Sequence, residues 1–249
     1  MSEDDSLIEE FFSEVNDKYY PQVLEGIDLL DEQQIEEGIE ILSRPLHTIK
    51  GVTGFMSGFE PASTFTHKVE SFLRKMQSGE IGRSLPQIAL AIESVNSIFI
   101  LIEQLRNTGT YDTEFTTDIE ERLLGEGKPA AVTLGNGLSP VEIESIDENK
   151  IITISVNRLY LYEQREAVKK NLHDIPTNSR VLFDFTNTLS VGSSLFELIV
   201  SFSDRLEISI TGMNNLCSST FHSWGFSRYI TEYDNRETFL ADNISGANG

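Results

Sequence analysis

Gly125 to Pro140 reads GEGKPAAVTLGNGLSP, and the fold class turns on it. Glycine and proline are frequent there and charge is sparse, the composition of a linker rather than of a helix or strand. The hydrophobic period differs on its two sides. Upstream, apolar residues recur at helical spacing: Leu7, Phe11, Phe12, Val15, Tyr19, Val23, Leu24, Ile27 and Leu30, then Ile35, Ile39, Leu42, Leu46, Ile49, Val52 and Met56. Asp31 is a plausible N-cap for this second helix, with Gln34 three residues on. A third helix carries Phe65 to Met76 and stops at Gly79, a fourth carries Ile88 to Leu105 up to Gly109, and a shorter one covers Glu114 to Leu124.

Downstream of Pro140 short β-rich runs take over. Strands are expected at Lys150–Val156, Arg180–Phe185, Leu206–Thr211 and Tyr229–Tyr233. Helices are expected at Tyr162–Leu172, Ser194–Ser203, Asn215–Trp224 and Arg236–Asp242. Strands alternating with helices of about ten residues predict β-α-β units and a mostly parallel or mixed sheet. The chain is therefore expected to be a multidomain α and α/β protein. Residues 1–124 are expected to form an all-α domain, 125–140 a linker and 141–249 a small α/β domain.

Length and charge agree with two domains and narrow the partners. The chain has 249 residues, with 19 Lys and Arg against 40 Asp and Glu, a net charge of −21. Such a field repels phosphate backbones and anionic lipid, so neither nucleic acid nor a membrane surface is expected as a partner. Hydrophobic residues at 39% are enough to fill cores, so the acidity is not a sign of disorder. Cys217 is the only cysteine, which excludes an intramolecular disulfide and a cysteine-built zinc site and fits a reducing cytoplasm. No metal site and no cofactor is expected. Met1 to Asp5 lacks the basic start of a signal peptide, and no apolar run approaches the roughly 20 residues that span a bilayer. The acids concentrate at the start, with fourteen acids and one base, Lys18, between Met1 and Glu40.

Arg44 to Gly58, RPLHTIKGVTGFMSG, carries the chemistry. His47, Gly51, Gly54 and Gly58 share one stripe of a helix, with Lys50 beside the histidine. Each interior glycine costs about 1 kcal/mol relative to alanine, so three on one stripe need a reason. One is close helix–helix contact. The other is that a macromolecular partner must approach His47 over a flat surface. Histidine suits phosphoryl carriage because one ring nitrogen can attack while an acceptor orients the other. His67, Glu70 and Arg74 share a face of the third helix, from which Glu70 could fix the His47 tautomer. Lys50 could neutralise phosphoryl oxygens. Pro45, inside the predicted helix, should kink it or remove a hydrogen bond.

HTIKG at 47–51, the glycine-punctuated GFMSGF after it, and FTHKVESFLRKMQSGEI at 65–81 resemble the histidine-containing phosphotransfer (HPt) domain, specifically that of the chemotaxis kinase CheA. The resemblance spans the whole first half and implies an up-and-down helical bundle with the site solvent-exposed on the second helix. It implies that His47 is the phosphorylated residue, that Lys50, His67 and Glu70 form its hydrogen-bonded network, and that Gly51 is the small neighbour of the histidine. With Gly54, Gly51 would keep the docking surface flat. The chain after the linker has no glycine-rich ATP-lid motif and no P-loop, so it is not expected to phosphorylate itself. The implied partners are a sensor or chemotaxis-type histidine kinase and a response-regulator receiver domain, in the cytoplasm.

VLFDFTNTLSVGSSLFELIV at 181–200 and FHSWGFSRYITEYDNRETFLA at 221–241 resemble a STAS domain, the sulfate-transporter and anti-sigma-antagonist family. Its phosphorylated serine falls at Ser193, in front of a helix N-terminus. Val191 stands where that family has aspartate, and Ser194 where it has glycine. In the simpler reading Gly192, Ser193 and Ser194 make a tight turn and cap the helix. Trp224, the sole tryptophan, is read either as a binding anchor or, more often for such a residue, as closing a core edge of the α/β domain, and His173 and His222 lack a partner at ligand spacing. A second function class follows from this half, a non-catalytic partner-switching module that binds a regulator and is controlled at Ser193.

Overall fold

The computed structural model describes residues 10–125, 139–146 and 148–246. The chain divides into two compact units, Met1–Val132 and Thr133–Gly249. The first is helical and the second is a small α/β domain. The proposed linker lies, from 126 to 138, outside the described residues, as does Leu7.

In the first unit a π-helical stretch, Val15–Tyr19, leads into α1, Tyr20–Asp31. Then come α2, Ile35–Phe55; α3, Glu60–Ser78; α4, Leu85–Thr108; and α5, Thr113–Leu124. Helix α2 packs between α1 and α3, α4 closes back on α1, and α5 packs on α3 and α4. The core is the predicted stripe, with Ile27, Leu30, Leu42, Leu46, Phe65 and Phe99 at 0–1% exposure. Helices α3 and α4 stop at Gly79 and Gly109, both left-handed, as the sequence predicts.

Asp31 does not cap α2. It is the last residue of α1 and is buried, and Gln34 takes the N-cap position. The reason lies in the turn. Gln33 adopts φ 63°, and its N–H and that of Gln34 donate to the carbonyls of Leu30 and Leu29, closing α1 with a Schellman motif in which Gln33 stands where glycine is usual. Helix α2 runs on to Phe55, as expected, with Pro45 buried inside it. Ile41 necessarily loses the hydrogen bond that a residue 45 with an N–H would give its carbonyl.

Apolar length also needs correcting. Helix α4 is long and apolar enough, by length and composition, to cross a membrane, with a best-window mean hydropathy of 1.7. In the structure 83% of that window is buried inside the unit, the pattern of a helix surrounded by others. One charge goes inside with it. Glu93, 1% exposed, accepts from Arg122 of α5 at 2.6 Å.

The second unit is a five-stranded sheet in the order β1-β2-β4-β6-β7. Its members are β1, Val141–Ile146; β2, Asn149–Ile154; β4, Arg180–Asp184; β6, Glu207–Thr211; and β7, Thr231–Glu232. Strand β1 is antiparallel to β2 and the other pairings are parallel. A separate parallel pair joins β3, Arg158–Leu159, to β5, Ser190–Val191. The helices are α6, Tyr162–His173; α7, Ser193–Val200; α8, Asn215–Ser223; and α9, Arg236–Gly246, with a 3-10 turn at Phe226–Arg228. Phe183, Phe185, Phe196, Phe221 and Phe226 fill the core, and Trp224 packs half-buried against it. The mixed sheet agrees with the sequence. The β1 strand and the β3–β5 pair do not follow from it, and β7 occupies two residues inside the short strand expected at Tyr229–Tyr233.

Candidate functional site

The site is built where α2 and α3 run side by side. Both present an apolar stripe to the core, with Leu46 and Ile49 of α2 and Val69 and Leu73 of α3 buried, which turns His47 and Lys50 to one flank and brings Glu70 against them. Glu70 is the anchor. Its side chain is 8% exposed, and its two oxygens divide the work: Oε2 accepts from Lys50 Nζ at 2.6 Å, while Oε1 lies 3.5 Å from His47 Nδ1.

The imidazole itself is presented to solvent, with 75% of the His47 side chain exposed. Lys50 Nζ also lies 3.5 Å from Nδ1. Both contacts to the ring sit at the long limit of a hydrogen bond, as side chains in uncomplexed catalytic sites often do. With its proton on Nδ1 the ring donates to Glu70 Oε1 and leaves the Nε2 lone pair free. A hidden carboxylate, a half-covered cation and an exposed imidazole are what a nucleophile oriented from behind requires.

His67 is less tightly drawn in. It lies one turn before Glu70 on α3 and is exposed, and among the described residues its ring makes no hydrogen bond or ion pair.

The glycine stripe separates into three cases. At Gly54 an added Cβ would lie 3.0 Å from Ser63 Oγ, and that hydroxyl donates to the Lys50 carbonyl at 2.8 Å, tying α3 to α2 beside the site. Packing accounts for this glycine. Gly58 has φ +86°, a conformation that favours glycine once α2 has ended. Gly51 has nothing within 4 Å of an added Cβ and is exposed, so neither packing nor backbone requires it. The close glycine crossing between helices lies elsewhere, where α1 meets α2. A Cβ on Gly38 would stand 2.9 Å from the Gly26 carbonyl oxygen and 3.0 Å from the Leu30 nitrogen.

Phe55, the last residue of α2, is 91% exposed beside the stripe and was not singled out by sequence. An apolar residue at the end of an amphipathic helix scans as core, and only coordinates show it facing water.

In the second unit Ser193 is the first residue of α7 and is 0% exposed. Gly192 holds the N-cap position, so the capping serine expected from sequence is absent there. A Cβ on Gly192 would stand 3.2 Å from the Tyr160 ring, which covers the turn. His173 stacks edge-on against Phe202, and His222 lies 3.5 Å from Glu232. Among the described residues no group of His, Cys, Asp or Glu is arranged to hold a metal ion. Burial pushes the thiol of Cys217 up to about 12, so it stays protonated and packs as a small apolar group.

No known family profile and no curated protein matches this chain.

Proposed function

We propose that the first unit is a histidine phosphotransfer module of two-component or chemotaxis-type signalling, with His47 as the residue that accepts and passes the phosphoryl group, and that the second unit is a STAS-like interaction domain. The observation that carries the reading is the arrangement of Glu70, Lys50 and His47: a buried carboxylate orienting an exposed imidazole, with an ammonium 3.5 Å from the same ring nitrogen. In the transfer the Nε2 lone pair attacks phosphorus in line with the departing oxygen, which leaves with its electron pair. Lys50 offsets charge on the phosphoryl oxygens. Gly51, Gly54 and the exposed Phe55 form the approach for the partner, a histidine kinase or a receiver domain in the cytoplasm. Such a protein relays a phosphoryl group and needs no nucleotide site of its own.

Incubation with a chemotaxis-type histidine kinase and ATP should put an acid-labile, alkali-stable label on the chain, and His47→Gln should abolish it. A label that survives the substitution refutes the assignment. Partner switching through Ser193 is the weaker reading, because a serine with 0% exposure reaches a kinase only if the first turn of α7 lifts from under Tyr160.

A further inference from the structure

A groove of about 450 Å³ runs from His47 back along α2 and α3, away from the glycines. Its floor includes Leu46 and Leu73, and Arg44 and Arg74 stand along it. Arg44 precedes His47 by three residues on α2, and Arg74 follows Glu70 by four on α3. Each arginine thus lies one helical turn along its helix from a member of the His47, Lys50 and Glu70 cluster.

These two arginines differ from the rest of the unit's arginines. Arg83 pairs with Glu36, Arg122 with Glu93 and Asp118, and Arg106 stacks over the Phe12 ring. Arg44 and Arg74 make no hydrogen bond or ion pair among the described residues, although the chain carries 40 acids. The groove's two acids do not engage them. Glu70 is bound to Lys50 at 2.6 Å, and Glu40, four residues ahead of Arg44, makes no ion pair with it. The nearby hydroxyls are spent on their own helix, Ser43 on the Ile39 carbonyl and Thr48 on the Arg44 carbonyl. What remains open in the groove is two planar, five-donor cations beside the nucleophile, a geometry that matches phosphoryl oxygens.

We infer that Arg44 and Arg74 form an oxyanion subsite that holds the phosphoryl oxygens during transfer and on phosphorylated His47. The subsite rests on the phosphotransfer reading of His47 and adds two residues to it. The ring nitrogen forms the N–P bond while the P–O bond to the donor's leaving oxygen, a phosphate or a carboxylate oxygen, breaks. The departing oxygen keeps the bonding pair, and the transferred group brings its oxygens between the two guanidiniums. Lys50, 3.5 Å from Nδ1 of the same ring, adds its positive charge to theirs.

The test uses the full chain as wild type, Arg44→Gln/Arg74→Gln and Arg44→Lys/Arg74→Lys. With a chemotaxis-type kinase and ATP, the single-turnover labelling rate at saturating kinase should fall roughly tenfold per arginine in the glutamine variant and recover in part with lysine. Purified phosphoprotein should then be titrated by phosphorus NMR with no partner present. Removing two cations makes protonation of the phosphorylated ring easier, so its titration midpoint should move to higher pH. Rates and midpoints equal to wild type overturn the subsite while leaving the phosphotransfer reading intact, and a change in apparent KM alone reassigns the arginines to docking. If wild type takes no label, the phosphotransfer reading fails. The subsite is then judged by titrating inorganic pyrophosphate into the unphosphorylated chain and following the His47 ring by NMR: a shift lost in the glutamine variant supports an anion site, and no shift in wild type overturns it.

Discussion

Replacing Gly51 by alanine separates two reasons for a glycine inside a helix. The position lies within α2, where alanine is favoured over glycine by about 1 kcal/mol. A Cβ there meets nothing within 4 Å, so no clash subtracts from the gain. The protein should therefore become more stable, and the first unit's melting temperature should rise by about 4 °C. Phosphotransfer should move the other way. Gly51 follows His47 by one turn on the same face, so the new methyl stands on the surface the partner must cover. Overpacking at a close interface costs about 1–3 kcal/mol, a loss of a few-fold to about a hundredfold in affinity for the kinase. The assays are a thermal melt followed by circular dichroism and the dependence of His47 labelling on kinase concentration. Gly54→Ala is the control, since its Cβ would push on Ser63 Oγ from 3.0 Å and disturb the bond to the Lys50 carbonyl, so stability should fall. If Gly51→Ala raises stability and leaves labelling unchanged, the flat-surface argument for this glycine is refuted. If it lowers stability, the geometry around α2 is wrong.

Other consequences can be measured without a partner. Arg122→Met removes the guanidinium that Glu93 accepts from at 2.6 Å in the core of the helical unit, so chemical denaturation should show a loss of about 3–5 kcal/mol; Glu93→Gln with Arg122→Met together should recover much of it. Burial alone would raise the pKa of Asp184, but hydrogen bonds from Thr186 and the Arg236 guanidinium 2.5 Å away outweigh it and hold the carboxyl below the usual carboxylate range. Stability from this group is present above the ordinary carboxylate pKa and is lost as pH falls below about 4, so Asp184→Asn should flatten the acid limb of the second unit's stability curve.

What the sequence disclosed and what it hid follow one division. Strong periodicity located the α-helices among the described residues of the first unit, because burying a stripe is what holds such helices in place and a stripe is visible in one dimension. Features that depend on a neighbour were not visible. Gln33 in a left-handed turn, where glycine is usual, hid the junction of α1 and α2 and made Asp31 look like a cap. Gly26 and Gly38 lie on different helices, and only their approach shows that they, rather than the stripe after His47, form the tight crossing. In the second unit β1 alternates Val141 and Ile143 with Glu142 and Glu144, yet it is an edge strand with Ile143 41% exposed, so its pattern is weak. Of the site, His47, Lys50 and Glu70 were legible because helical spacing and charge type carry that information. His67 was assigned with them, but sharing a face with Glu70 did not bring its ring into the cluster.

The net charge of −21 takes on a different meaning once the site is placed. Acids spread over the exposed positions of the first forty residues, among them Glu10, Glu14, Glu25, Glu32 and Glu37, oppose an incoming phosphoryl group only over distances that salt screens, about 8 Å at physiological ionic strength. Within that range of His47 local composition decides. From Thr48 to Gly58 the chain carries no acid, Glu70 is neutralised by Lys50 at 2.6 Å, and Arg44 and Arg74 stand unpaired among the described residues. A dianion arriving at the histidine therefore meets a surplus of positive charge inside a strongly acidic protein. Added salt should speed the encounter with an acidic partner, because the attraction that matters acts over a few ångströms while the repulsion acts from farther away and is screened first.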